Sequence, residues 1–479
     1  MGSRSEREDA SARGDGLAAA LAALSPGAWV ITALALGSSL LIAFLPGRAA
    51  STLEMWTFTR AHAVMYEPEI ARWNQEHPDA DAHILILNAP ALQQRMLAGF
   101  LAETAVADLI EAERKIAGQA FAGPLDKVGF VDLTDWLRDE GLMEEINPPS
   151  FGPWTSRGRI FGLPHDVHPV MLCYRADIVE AAGIDVSTID TWDDFERVLA
   201  PLMDDGNGDG QPDHRLLAIQ ENYGDQIELL TLQAGGRYFD EAGRPTLNLP
   251  ENARVLARIT QWCTGPLPIA AHAPDFQAAG NQVKKSGQVI AWFAPDWMCY
   301  LIRNEIPELS GKLKLMPLPA WDPGGRHTSV WGGTMLGISR TTDEPDKALA
   351  LARRLYLSED LARTLYRQGD IITPIRSHWD NPMFDEPDPF YSNQPKGRMY
   401  INLAPDVPVR TNSPYFSQAV LRVQDASIKL KQWSVEHGVR ETEALEARAM
   451  ELLEVAQDAV MQHLSRNIFL SGEAGAGDS

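Results

Sequence analysis

From residue 53 onward the apolar positions alternate between two periods. Leu53-Glu-Met-Trp-Thr-Phe58 carries apolar residues at alternate places, the pattern of a strand. Tyr66, Ile70 and Trp73 then fall at helical spacing, ahead of a stop at His77-Pro78. Ala82 to Leu87 predicts a second strand, with Leu92, Met96, Leu97 and Phe100 on a second helix and Val106 to Ile110 as a third strand. Strands alternating with single helices imply βαβ units and a mostly parallel sheet. Ligands of such sheets bind at the carboxyl ends of the strands. That rule places Trp56 to Thr59 and Glu111 to Glu113 at a site mouth.

A second landmark is GRIFGLPHDVHPVMLCYR, residues 158–175. Gly158, Gly162 and Pro164 punctuate it, and Val170 to Tyr174 is β-prone, which suits a segment leaving one sheet for another. The next helix carries Ile178, Val179 and Ala182 and closes at Gly183, a residue suited to a left-handed C-cap. Thr191 stands three residues ahead of Asp194, a capping box opening another helix. Far downstream, Leu445, Ala449, Leu452, Ala456, Val460 and Leu464 form an apolar stripe that predicts a long helix packed on a lobe, with a coiled-coil partner surface as the alternative.

Taken together, GRIFGLPHD at 158–166, AGID at 182–185 and TWDDF at 191–195 resemble the extracellular solute-binding proteins of sugar ABC transporters, the maltose-binding type. Further landmarks follow in order: Ser286 to Phe293, Leu315 to Pro319, Trp331-Gly-Gly333 with Leu336 to Ser339, and Thr373-Pro-Ile-Arg376. One departure is Ala107-Asp108, where the family carries Pro-Asp. The resemblance runs from about residue 53 to 465.

It implies an α/β, two-lobe periplasmic-binding-protein type II fold with three interlobe crossovers. The first lobe is expected from 51–166 plus 328–372 and the second from 169–320 plus 376–465, with a tail at 466–479. The implied function is extracytoplasmic binding of a sugar or oligosaccharide in the interlobe cleft, hinge closure, and delivery to an ABC transporter permease. Alternatives are a ligand sensor for a receptor partner and a carbohydrate-active enzyme. No GxSxG, HExxH, Walker A or dinucleotide glycine motif is present, so an enzyme is not expected.

Thirteen tryptophans are many, and Trp56, Trp292, Trp297 and Trp331 fall at strand ends or turns rather than on helix stripes. The apolar face of a sugar ring lies flat on indole while its hydroxyls reach acids and arginines. The expected ligand-binding residues are therefore Trp56, Glu113, Asp166, His168, Asp296, Trp297, Trp331, Gly332 and Arg376.

Charge and N-terminal sequence add the setting. Net charge is −23, from 65 acidic against 42 basic residues, which argues against nucleic acid or anionic lipid as partners. Residues 1–27 begin as a polar leader, and 28–46 is apolar enough to be a membrane anchor or a cleaved signal segment. Either places the remainder on the periplasmic or extracellular side, and a monomer is expected. Cys173, Cys263 and Cys299 lack metal spacing and are expected as buried free thiols. Asp205, Asn207, Asp209 and Asp213 match the start of a calcium loop, with Leu216 where its final Glu belongs. No cofactor is required, and a structural calcium ion is the one candidate.

Overall fold

Strand β1 (Leu53–Thr57) pairs in parallel with β2 (Ala82–Ile86) on one side and β3 (Leu109–Glu113) on the other. Helix α1 (Arg60–Glu76) joins β1 to β2, and α2 (Ala89–Ala102) joins β2 to β3, as the change of period predicts. The third strand lies a few residues later than its apolar run. Pairing starts at Leu109, opposite Met55, because the Asp108 carboxylate accepts the Glu54 N–H (2.8 Å) and the Thr342 hydroxyl (2.7 Å). Val106 and Ala107 are instead buried ahead of the strand.

The computed structural model describes residues 52–206, 208, 212–220 and 223–467, with a few positions between 25 and 37. Leu53–Ser479 forms a unit of its own, distinct from Met1–Thr52. Most of the leader, of the apolar run at 28–46 and of the tail lies outside the described residues. Among the described residues no helix is long and apolar enough to cross a membrane.

After the short strand β4 (Leu163–Pro164), the chain leaves the first sheet through His165–Pro169 and enters β5 (Val170–Arg175) of a second sheet. Helix α3 (Ala176–Ala181) follows, and Gly183 takes the left-handed conformation just beyond it (φ 70°). Helix α4 (Trp192–Leu199) opens with the capping box of Thr191 and Asp194. The second lobe continues with β6 (Arg215–Ala218), α5 (Gly224–Gln233), α6 (Pro250–Cys263), β7 (Ala270–Ala271), β8 (Val289–Pro295), α7 (Asp296–Glu305) and β9 (Leu313–Pro317). Its sheet order is β9-β5-β8-β6-β7. Every residue of β5 and β8 is buried, as expected of central strands covered on both faces. Trp292, in the middle of β8, is therefore core.

A second crossover returns to the first sheet as β10 (Thr334–Ile338), giving the order β2-β1-β3-β10-β4. Because β10 arrives from the other lobe, it runs antiparallel to β3, so the sheet is mixed rather than mostly parallel. Helices α8 (Pro345–Leu357) and α9 (Glu359–Gly369) follow, and the chain crosses a third time near Ile371–Ile372. The crossovers are bonded side by side: the Val167 N–H donates to Ile372 O (3.2 Å), and the Val170 N–H to Ser329 O (3.2 Å).

Helices α10 (Phe416–His437) and α11 (Thr442–Leu464) close the second lobe, packing on each other and on α6. In α11 the buried stripe is Leu445, Ala449, Leu453, Ala456 and Val460, with Leu453 in place of Leu452. The 3.6-residue period carries the inner face one position further there. The three cysteines are unpaired; Cys173 and Cys299 are buried and Cys263 is half-buried.

Candidate functional site

The carboxyl ends of β1 and β3 meet the amino ends of α5 and α7 across a cavity of about 410 Å³ between the lobes. From the first lobe come Phe58, Thr59 and His62, then Glu113, Arg114 and Lys115. Tyr223 and Asp225 enter from the start of α5, and Trp297, Tyr300 and Leu301 from α7. The crossovers supply His168, Trp331, Gly332, Gly333 and Ile371.

Aromatic rings form one wall. Trp297 meets Trp331 edge to face with ring centres 6.0 Å apart, and its indole N–H donates to Trp331 O at 2.9 Å. Phe276 stacks on Trp297 at 5.9 Å, and Tyr223 leans on Trp331 at 5.9 Å. Gly332 is required between them. Its φ of 107° is left-handed, and a Cβ there would lie 2.7 Å from His168 Cδ2 and 2.9 Å from Trp297 Nε1.

Glu113, Arg114, Lys115 and Asp225 line the same cavity, and ion pairs with Glu228 and Arg410 behind it bridge the lobes. Arg114 Nη2 lies 2.6 Å from Glu228 Oε2 and 3.3 Å from Asp225 Oδ1, both on α5. Lys115 Nζ is 2.5 Å from Asp225 Oδ1. Arg410 Nε is 3.1 Å from Glu228 Oε1, and its Nη1 donates to Gly332 O at 2.7 Å. Burial pushes the Asp225 carboxyl up, but Arg114 and Lys115 outweigh it and hold it below the usual range. Glu113 goes the other way: burial raises it beyond what Arg114 and Lys115 offset.

Of the residues expected from sequence, Glu113, His168, Trp297, Trp331 and Gly332 lie on the cavity, and four do not. Trp56 is 7% exposed inside the first lobe, its indole N–H bonded to Glu54 Oε1 at 2.6 Å. The strand ends one residue later, so Phe58 and Thr59 reach the cleft instead. Asp166 is buried beneath the cleft, 3.0 Å from His165 Nδ1 and 2.9 Å from His168 Nε2. Asp296 is fully buried; its Oδ1 pairs with His168 Nδ1 at 2.7 Å and its Oδ2 accepts the Ile372 N–H at 2.8 Å. These two carboxylates hold His168 and join two crossovers to α7. Arg376 is exposed beside Glu145, at the start of a 3₁₀ turn, because the third crossover meets the cleft at Ile371, five residues earlier in the chain.

His168 has positive φ (55°) and sits between Asp166 and Asp296. Burial lowers its pKa, but the two carboxylates overcome this and raise it to about 10, so it is an imidazolium at neutral pH. Asp166 is correspondingly held well below the usual carboxylate range by His168 and His165, against its burial. Glu111, placed at the mouth by the strand-end rule, is buried two residues short of it.

The loop proposed for calcium lies elsewhere. Asp205 accepts the Gly208 N–H (2.8 Å) and Asp213 the Gly206 N–H (3.0 Å), while Asn207 and Asp209 lie outside the described residues.

Sequence reading missed His62, Arg114, Lys115, Tyr223 and Asp225. Arg114 and Lys115 directly follow the strand end at Glu113, the one available signal. For Tyr223 and Asp225 there was none, since their neighbours across the cleft are more than a hundred residues away.

The chain is similar to several known proteins. An arabinooligosaccharide-binding protein from Halalkalibacterium halodurans is 25% identical over 381 residues, 77% of this chain and 81% of that protein. A lactose-binding protein from Rhizobium radiobacter is 22% identical over 371 residues, 75% of this chain and 83% of that protein. The solved structure of the sugar-binding protein MalE from Xanthomonas citri superimposes with a TM-score of 0.67 at 15% identity, covering 86% of this chain and 99% of that one. Residues 63–360, more than half of the sequence, match the bacterial extracellular solute-binding protein family, and the chain belongs to that family.

Proposed function

We propose that the cleft binds a sugar or short oligosaccharide outside the cytoplasm and presents it to an ABC transporter permease. The observation that carries this reading is one cavity lined by the rings of Trp297, Trp331 and Tyr223 together with Glu113, Lys115 and Asp225. Aromatic faces take the C–H side of a pyranose or furanose ring, and the charged groups take its hydroxyls. Relatives named for arabinooligosaccharide and lactose support the same ligand class. The cavity volume suits a small ligand of that kind.

Ligand contacts made by both lobes at once exist only when the lobes are together, so binding shifts the population toward the closed form. The protein acts as a binder and leaves its ligand unaltered. The apolar run at 28–46, as anchor or leader, keeps the body on the outer side of the membrane.

The test is calorimetry on the whole protein with arabino-oligosaccharides, lactose, maltose and mannitol, followed by chromatography of the recovered sugar. One of these binds and is recovered intact, and Trp297→Ala weakens it at least about tenfold, as loss of a central aromatic contact does. Silence across all sugars, with stabilisation by a peptide or polyamine instead, refutes the reading.

A further inference from the structure

On the first-lobe side of the cleft, three metal-ligating side chains converge. They are His62 from the first turn of α1, Glu111 from β3 and His165 from the first crossover. One donor atom from each lies within 4.8 Å of the other two. We propose that His62, Glu111 and His165 form a binding site for a divalent transition-metal ion of zinc's class. The proposal does not rest on which solute the cleft takes.

The donor set comes first. Two imidazoles and one carboxylate suit zinc, cobalt and nickel, and disfavour calcium and magnesium, which take all-oxygen sets. Bonds of about 2.0–2.2 Å require the donors to draw together by roughly an ångström. His62 has that freedom, since its side chain is 13% exposed and lines the cleft. The cleft is also the route by which an ion reaches the site.

The second observation is His165. Its Nδ1 is 3.0 Å from Asp166 Oδ2, while its Nε2 is buried with no hydrogen-bond partner among the described residues. A buried ring nitrogen left without a partner loses the hydrogen bond it would make to water and gains nothing in exchange. A carboxylate on one ring nitrogen with the other free is the orientation in which proteins hold a metal-binding histidine.

Third, Glu111 is held in place. Its Oε1 accepts from the Tyr66 and Tyr356 hydroxyls, each at 2.7 Å, and its Oε2 from Thr57. His62 Nδ1 lies 3.1 Å from the same Oε1, and the His62 and His165 rings are 4.5 Å apart. A purely structural role accounts for Glu111, whose oxygens are satisfied by these hydroxyls. It leaves the buried Nε2 of His165 unexplained, and a metal ion supplies the missing partner. Bound there, the ion would fasten the first crossover to α1 and β3.

The experiment strips the full-length protein with EDTA and measures Zn²⁺ uptake by equilibrium dialysis, with Co²⁺ absorption as the spectroscopic probe. The expected result is one Zn²⁺ per chain and visible cobalt bands of nitrogen and oxygen ligation. His62→Gln and His165→Gln should each weaken Zn²⁺ at least about tenfold, whereas His437→Gln, on an exposed helix end, should not. His62→Gln sits on the cleft surface and serves if His165→Gln fails to fold. No uptake overturns the proposal. So does uptake that is unchanged in His62→Gln, which would assign the ion to surface histidines.

Discussion

Replacing Arg114 with Met removes one charge and leaves a stem of similar length to lie over Phe416, whose ring centre the guanidinium carbon now approaches at 4.7 Å. Its partners Glu228 and Asp225 belong to the other lobe, with side chains 2% and 9% exposed. Removing one member of a buried ion pair costs about 3–5 kcal/mol, because the remaining charge is stranded. Here Lys115 still meets Asp225 and Arg410 still meets Glu228, so the lower end applies, about 3 kcal/mol. Opening the cleft hydrates both carboxylates and escapes that penalty, so the cost falls on the closed form alone. At 1.4 kcal/mol per factor of ten, the closing equilibrium and the ligand affinity should each drop about a hundredfold. The assay pairs calorimetry on a sugar ligand with a donor–acceptor fluorescence distance across the lobes. Arg114→Met should show the longer mean distance without ligand, while its denaturation midpoint shifts far less than its affinity. An affinity within threefold of the parent, with an unchanged distance, would refute the idea that this cluster holds the lobes together.

Two further outcomes follow from the hinge. His168 has a folded pKa raised to about 10, against about 6.5 when unfolded, so it keeps a proton between those values that the unfolded chain releases. Its contribution is complete below about pH 6.5 and lost as pH rises through 10; urea unfolding of the parent and His168→Gln should therefore converge with rising pH, and a constant gap would count against the imidazolium. Gly332→Ala forces a methyl against His168 and Trp297, at 2.7 and 2.9 Å, from a left-handed backbone position. It should lose about 1–3 kcal/mol of stability together with ligand affinity, read by thermal unfolding and calorimetry, and a parent-like melting temperature would contradict the packing described.

What the sequence determined by itself is mostly local. The alternation at Leu53 to Phe58, the stripe through Tyr66, Ile70 and Trp73, the capping box at Thr191 and the glycine at 183 each act within a few residues, and the elements form where those signals stand. The glycine and proline punctuation around 158–169 likewise marked the first passage between sheets. Strand-end reasoning reached Phe58, Thr59 and Glu113 on the same basis, since a parallel sheet presents its carboxyl edge to ligands.

Tertiary structure decided the rest. Whether Trp56 or Phe58 faces the cleft depends on where β1 stops, which its pairing with β2 and β3 sets. Asp166 and Asp296 carry the residue type of a ligand contact, yet burial under His168 makes them hinge supports. The cluster of Arg114 with Asp225, Glu228 and Arg410, and the convergence of His62, Glu111 and His165, join parts of the chain far apart in sequence. Such partners leave no periodic trace along the chain. Their energies depend on distance and burial in space, and both exist only after the lobes have folded and the crossovers have set them face to face.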